Sequence, residues 1–225
     1  MKEAGVNAIE TDLKSAFSCW DDLCAEARKE NSVIIINSTG KNSTGEYRAI
    51  IHRLESEGIS APVILRKRYD EDDLESLQVK AAADMGVMFI DGMADGIMIE
   101  NASEKIVPED IKNLSFGILQ AARARITKTE YISCPGCGRT LYDLENTITQ
   151  IKERTKHLKG LKIGIMGCIV NGPGEMADAD YGYVGAGVGK VSLYKRKECV
   201  EKNIPTDQAV DKLIALIKDN GDWKE

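Results

Sequence analysis

Apolar residues in the first 126 positions form short runs that are separated by segments with helical periodicity. The runs predict buried strands at residues 33–37, 62–65, 87–90 and 96–100. The segments between and after them predict helices over residues 46–57, 72–85 and 108–125. Strands that alternate with helices at this spacing favour parallel βα units. Their number is too small to close an eight-stranded barrel, so this half is predicted to be a partial, barrel-like parallel α/β layer.

The pattern changes after Thr127, which predicts a second α/β domain with its boundary near residues 126–129. Strands are predicted at residues 130–133 and 161–166, and a strand pair or hairpin over the glycine-rich residues 181–194. Helices are predicted over residues 143–157 and 206–217, the first capped by Asp143. The chain is therefore divided into an N-terminal domain, residues 1–126, and a C-terminal domain, residues 127–225.

Composition narrows the class of protein. Charged residues make up 29% of the chain, apolar residues 43%, and the net charge is −6. The acidic balance argues against general binding to nucleic acid or to anionic membranes. No apolar run is long enough for a membrane span, and the first residues lack the apolar core of a signal peptide. The sequence therefore predicts a cytoplasmic protein, in which six cysteines favour metal ligands or free thiols over disulfides.

Four residues in two glycine-rich segments carry the candidate chemistry. Cys134 and Cys137 have C-x-x-C spacing, and Cys168 is followed seven residues later by Glu175. Three thiolates and one harder oxygen ligand suit an iron–sulfur cluster with one chemically distinct iron. The spacing also allows a structural zinc site, a thioredoxin-type dithiol, or unrelated core thiols. On residue pattern alone a metal site is favoured, but the choice between iron–sulfur and zinc stays open.

Two long runs around these residues resemble a known enzyme family. Residues 127–144 and 165–185 are similar to the C-terminal domain of the 4-hydroxy-3-methylbut-2-enyl diphosphate synthases of isoprenoid biosynthesis. Residues 89–99 and 115–120 resemble the insert domain of the plant-type, three-domain form of that family. The likeness covers nearly the whole chain and is sharpest from residue 127 to residue 190.

The resemblance implies a cofactor, a reaction and partners. In that family a [4Fe–4S] cluster is held by three Cys and one Glu, which match Cys134, Cys137, Cys168 and Glu175, and Asn171 matches an Asn that contacts substrate. The implied reaction is the reductive conversion of 2-C-methyl-D-erythritol 2,4-cyclodiphosphate to 4-hydroxy-3-methylbut-2-enyl diphosphate, with ferredoxin or flavodoxin as electron donor. Displacement of the Glu175 carboxylate would open one iron to substrate.

The family also begins with a TIM-type barrel that binds the cyclic diphosphate, and no such barrel precedes residue 1 in this sequence. The chain is therefore expected to behave as a C-terminal fragment that is inactive alone and that self-associates through an exposed edge of its partial sheet. The rival from another class is a non-catalytic domain that binds zinc or serves as a scaffold.

Overall fold

The computed structural model describes residues 5–224 and divides the chain into two compact units between Ile126 and Thr127. Unit 1 contains a four-stranded, entirely parallel sheet whose strands follow one another in chain order. These strands are β1 (Asn7–Asp12), β2 (Ser32–Ser38), β3 (Val63–Tyr69) and β4 (Gly96–Asn101). The parallel βα organisation predicted for this half is confirmed.

The helices of unit 1 connect successive strands, and α6 follows β4. They are α1 (Leu13–Ser18), α2 (Trp20–Ala27), α3 (Ser43–Ser56), α4 (Leu74–Ala81), α5 (Val87–Ile90) and α6 (Pro108–Ala121). Right-handed crossovers between neighbouring parallel strands place all their helices on the same face of the sheet. The core follows this rule, since it combines Ile34, Ile36 and Leu65 with the buried faces of the helices.

One predicted strand is wrong. Residues 87–90 form α5, and the π-helical segment Ala82–Gly86 joins it to α4 without a break. Met85, Met88 and Phe89 are buried at helical spacing along this element. A four-residue apolar run has no period of its own, so the run alone could not distinguish a strand from a buried helical turn.

Unit 2 contains a mixed five-stranded sheet in the order β5-β6-β7-β8-β9. Its strands are β5 (Glu130–Ser133), β6 (Lys162–Met166), β7 (Tyr181–Gly187), β8 (Lys190–Lys195) and β9 (Glu198–Pro205). The first three are parallel, whereas β7, β8 and β9 pair antiparallel, which confirms the hairpin expected over residues 181–194. β9 lies in a segment for which no strand was predicted.

The unit 2 sheet is covered differently on its two faces. The helices α7 (Leu144–Thr155) and α9 (Thr206–Asp219) contribute to one large core, which includes Ile165 and Tyr183 of the sheet. The other face carries a smaller cluster around Met176, which follows the four-residue helix α8 (Gly172–Glu175). A methyl group built on Gly164 or Gly182 would lie within 2.6 Å of the Met176 side chain. Because these two glycines lack side chains, Met176 packs closely against the sheet and anchors α8.

No helix in the described part of the chain is both long and apolar enough to cross a membrane.

Candidate metal centre

The two cysteine segments lie side by side because β5 and β6 are parallel neighbours. Ser133 at the end of β5 pairs with Ile165, near the end of β6. Cys134 directly follows β5, and Cys168 follows β6 by two residues. Both thiols therefore leave the sheet at its carboxyl edge. The backbone N–H of Gly167 donates to Cys134 Sγ at 3.2 Å, which ties the end of β6 to the first cysteine.

A tight turn brings Cys137 back toward this edge. Gly136 has φ = +81°, in the left-handed region that disfavours residues with a side chain. The Cys137 N–H donates to Thr140 Oγ1 at 3.2 Å, and the Thr140 N–H donates to the Cys137 carbonyl at 2.9 Å. The turn therefore depends on glycine at one position and on a threonine hydroxyl at another.

Close backbone packing holds the cysteine turn against the end of β6. The Tyr142 hydroxyl donates to the carbonyl oxygen of Met166 at 2.9 Å. A methyl group on Gly167 would lie 2.3 Å from Thr140 Oγ1, and one on Gly185 of β7 would lie 2.2 Å from the Gly167 carbonyl oxygen. Both glycines sit where a side chain would separate Cys168 from the first cysteine segment.

Glu175 and Asn171 are placed by the short helix that follows Cys168. The Gly172 N–H donates to the Cys168 carbonyl at 3.2 Å, and the Glu175 N–H donates to the Asn171 carbonyl at 3.0 Å. The Asn171 side chain does not cap this helix, although Asn171 occupies the capping position. Asn171 and Glu175 are exposed, so both side chains face solvent from a firmly anchored turn.

The electrostatics of the turn favour thiolate. The backbone N–H and then the side chain of Arg139 hold the pKa of Cys137 below its ordinary value, with a smaller contribution from Cys168. In return, the hydrogen bond to Cys137 raises the pKa of Arg139, assisted by the charges of Cys137, Cys168 and Glu175. One guanidinium therefore interacts with two thiols and one carboxylate of the candidate ligand set.

The four predicted ligands do not form a site for a single metal ion. Within residues 5–224, no three or more His, Cys, Asp and Glu side chains converge at the spacing of a single-ion site. Each ligand of a cubane binds a different iron, so its ligands stand farther apart than those of one zinc ion. The roles of Cys134, Cys137, Cys168 and Glu175 as ligands stay predictions.

Asp180 and the other three cysteines occupy other positions in the fold. The Asp180 carboxylate accepts from the Lys162 N–H at 2.9 Å, at the amino end of β6 and away from the thiols. Cys19 and Cys24 belong to unit 1. Cys199 lies on β9, where its thiol donates to the Glu201 carbonyl oxygen at 3.8 Å. Sequence reasoning missed Arg139, Thr140 and Tyr142 as supporting residues. Their closeness to the cysteines in the sequence was the available signal.

Comparison with known families defines the class of this unit. Residues 130–219 match the family model described as the GcpE protein C-terminal domain, and this part of the chain belongs to that family.

Longer proteins resemble almost the whole chain. The chain is 60% identical over 222 residues to the 4-hydroxy-3-methylbut-2-en-1-yl diphosphate synthase (flavodoxin) of Phocaeicola vulgatus, an alignment that covers 96% of the chain and 36% of the relative. The same enzyme of Bacteroides fragilis is 62% identical over 219 residues, covering 95% and 35% respectively. The chloroplastic, ferredoxin form of Oryza sativa subsp. japonica is 46% identical over 188 residues, covering 82% and 25%. The chain thus spans about a third of the length of the bacterial relatives it matches.

Proposed function

We propose that unit 2 is the iron–sulfur domain of a 4-hydroxy-3-methylbut-2-enyl diphosphate synthase, and that unit 1 is the C-terminal part of its insert domain. The observation that carries the proposal is the placement of both cysteine segments at one carboxyl edge, within a sequence 60% identical to such enzymes. The proposed reaction is the reductive opening of 2-C-methyl-D-erythritol 2,4-cyclodiphosphate to the hydroxymethylbutenyl diphosphate.

In this proposal Cys134, Cys137, Cys168 and Glu175 would hold a [4Fe–4S] cluster. When bound, such a cluster would supply electrons one at a time to the substrate. The thiol ligands are fixed by the turn at Gly136 and by the Gly167 N–H donated to Cys134. This N–H is also the kind of outer-shell donor that tunes a sulfur ligand.

Glu175 has the properties of a ligand that yields to substrate. Its carboxylate is a harder donor than a thiolate, so it is the mismatched member of the set. It is exposed at the end of a four-residue helix, whereas the neighbouring Met176 is buried. The Glu175 side chain would therefore be free to move away from a bound metal without disturbing the packing of Met176 that anchors α8. Asn171, whose side chain is not used as a cap, is available to hold a substrate oxygen beside it.

The charge balance supports a reducible site. Three thiolates and a carboxylate bring four negative charges to one edge, and Arg139 interacts with three of these four groups. A cation at this place lowers the cost of adding an electron to an already anionic centre. The electron donor is proposed to be flavodoxin or ferredoxin, since the names of the relatives carry one or the other.

Anaerobic reconstitution with iron and sulfide tests the cofactor. The expected product is brown and contains about four iron and four sulfide per chain. Cys168→Ser is expected to lose the chromophore, and Cys199→Ser, in the same unit, is expected to keep it. Stoichiometric zinc with no sulfide would contradict the proposal and would support the rival zinc-binding domain.

Turnover tests the proposed division of labour within the longer enzyme. A diphosphate has to be positioned by several cationic groups around a concave site. We expect the reconstituted chain alone, supplied with reduced flavodoxin and the cyclic diphosphate, to form no product. A polypeptide as long as the relatives, carrying the same unit 2, is expected to be active. Appreciable product from the chain alone would show that the substrate binds elsewhere than proposed.

A further inference from the structure

One peptide group connects a tyrosine of the first cysteine turn to a cysteine thiol. The peptide joins Met166, the last residue of β6, to Gly167, and both of its polar atoms are hydrogen-bonded. Its carbonyl oxygen accepts from the Tyr142 hydroxyl at 2.9 Å, and its N–H donates to Cys134 Sγ at 3.2 Å. Tyr142 is therefore linked to a predicted cluster ligand through a single peptide.

Close packing fixes the position of this peptide. Met166 and Gly167 are both buried. A methyl group on Gly167 would lie 2.3 Å from Thr140 Oγ1, and one on Gly185 would lie 2.2 Å from the Gly167 carbonyl oxygen. Because the peptide has little room to move, a hydrogen bond lost at its carbonyl oxygen changes mainly the polarity of its N–H.

The ring of Tyr142 is held independently of its hydroxyl. The ring packs against the core of unit 2, and its centroid lies 5.6 Å from that of Tyr183. A phenylalanine ring keeps these aromatic contacts. Tyr142→Phe therefore removes one hydrogen bond and leaves the packing in place.

Hydrogen bonds at the two ends of one peptide reinforce each other. A donor on the carbonyl oxygen polarises the amide, which makes its N–H a stronger donor. A stronger N–H bond to a ligand sulfur stabilises negative charge on that sulfur. Reduction adds negative charge to an iron–sulfur cluster, so hydrogen bonds to its sulfurs raise its reduction potential.

We propose that Tyr142 is a positioning residue that raises the reduction potential of the cluster by polarising the Met166–Gly167 peptide, whose N–H binds Cys134. This inference rests on the proposed function, because it requires a cluster held by Cys134. Tyr142 acts through the peptide and not on the metal. Its hydroxyl sets how readily the site accepts an electron from the donor.

A redox titration of the reconstituted chain, followed by electron paramagnetic resonance, tests the effect on the potential. Tyr142→Phe is expected to shift the equilibrium between reduced and oxidised cluster about two- to fourfold toward the oxidised form. Tyr131→Phe is the matched control, since it removes a hydroxyl of the same unit that hydrogen-bonds to Thr155 Oγ1 at 2.8 Å. The control is expected to keep the parent potential. A Tyr142→Phe protein with normal iron content and the parent potential would overturn the proposal, because Tyr142 would then only anchor the turn.

Nuclear magnetic resonance of the metal-free chain tests the linkage itself. With isotopically labelled glycine, the amide proton of Gly167 reports the strength of its bond to Cys134. Tyr142→Phe is expected to move this resonance to lower frequency, and the movement is expected to shrink when Cys134→Ala removes the sulfur acceptor. No movement, or equal movements with and without the sulfur, would overturn the proposal, because the two bonds would then be independent.

The two measurements separate this inference from the proposed function. A parent chain that assembles no iron–sulfur cluster would refute the proposed function. A parent that assembles one, while Tyr142→Phe changes neither the potential nor the Gly167 resonance, would refute only the role of Tyr142.

Discussion

The contact between Gly185 and the end of β6 allows a sharp test of how the cysteine segments are held. A methyl group on Gly185 would lie 2.2 Å from the Gly167 carbonyl oxygen, 2.9 Å from the Gly167 carbonyl carbon and 3.0 Å from Tyr142 Cε1. Two of these three atoms belong to the backbone of Gly167, directly after β6, and backbone atoms cannot rotate away as a side chain can. Gly185→Ala must therefore push the β6 end away from β7 or distort the cysteine turn.

The size of the effect follows from the cost of overpacking. Insertion of a methyl group into a close-packed site costs about 1–3 kcal/mol. A loss of about 2 kcal/mol lowers the midpoint of thermal unfolding by roughly 8–16 °C for a domain of this size. Because the displaced backbone directly precedes Cys168, the variant is also expected to incorporate less iron on reconstitution.

A second glycine of the same hairpin provides a matched control for Gly185→Ala. Gly187 lies on the same strand, and a methyl group there would meet no atom within 4 Å. Gly187→Ala is expected to change stability by less than about 1 kcal/mol, in the stabilising direction, because alanine restricts the unfolded chain.

A fluorescence assay can isolate unit 2. The chain contains two tryptophans, Trp20 in unit 1 and Trp223 in unit 2, so a Trp20→Phe background leaves Trp223 as the reporter of unit 2. Gly185→Ala that unfolds within about 0.5 kcal/mol of its parent and keeps full iron content would refute the reasoning.

Three further expectations concern single side chains of unit 2. Burial raises the pKa of Tyr183 to about 12 from the ordinary 10, so the folded protein loses stability as the pH rises from 10 to 12. Between pH 7 and pH 11, Tyr183→Phe should therefore lose less unfolding free energy than the parent, as measured by urea unfolding. An identical loss in both proteins would contradict this. Asp143 is the N-cap of α7 and accepts a hydrogen bond from the Asn146 N–H at 3.1 Å. Asp143→Ala should therefore lower the free energy of urea unfolding by about 1 kcal/mol, and Glu145→Ala, at an exposed position in the first turn of α7, should lower it less. Equal losses would argue against the cap. Glu175→Ala should leave the unfolding free energy of the metal-free chain nearly unchanged, because the side chain is exposed. In a protein as long as the relatives, the same substitution should lower iron content and turnover. A large loss of stability in the metal-free chain would assign Glu175 a structural role.

The sequence predicts much of the fold because strand runs and helix periods are local signals. The strands near residues 33–37, 62–65, 96–100 and 130–133 are all present. The strand predicted at residues 87–90 is wrong because the helical state of this segment is set by continuity with α4 and by burial of Met88 and Phe89. The sequence pattern predicts neither β1 nor β9, and each lies at the edge of its sheet. Their exposed, polar positions weaken the alternation that reveals a strand.

Part of the candidate metal centre could likewise be predicted from the sequence and part could not. The cysteines, Asn171 and Glu175 lie in glycine-rich turns that are recognisable in the sequence, so they could be predicted as site residues. The contacts that hold the turns together depend on which strands are neighbours. The approach of Gly185 to Gly167 requires β6 to lie beside β7, and the bond from Tyr142 to Met166 requires the first turn to fold over the end of β6. No local pattern specifies these pairings.

The proposed function requires that Cys134, Cys137, Cys168 and Glu175 hold one four-iron cluster whose Glu-bound iron differs from the other three. Mössbauer spectroscopy of the anaerobically reconstituted chain, in the parent and in Glu175→Cys, distinguishes the iron sites. We expect one distinct iron site in four in the parent, and loss of that distinction when a fourth thiolate replaces the carboxylate. Four equivalent irons in the parent, or a spectrum that Glu175→Cys leaves unchanged, would contradict it.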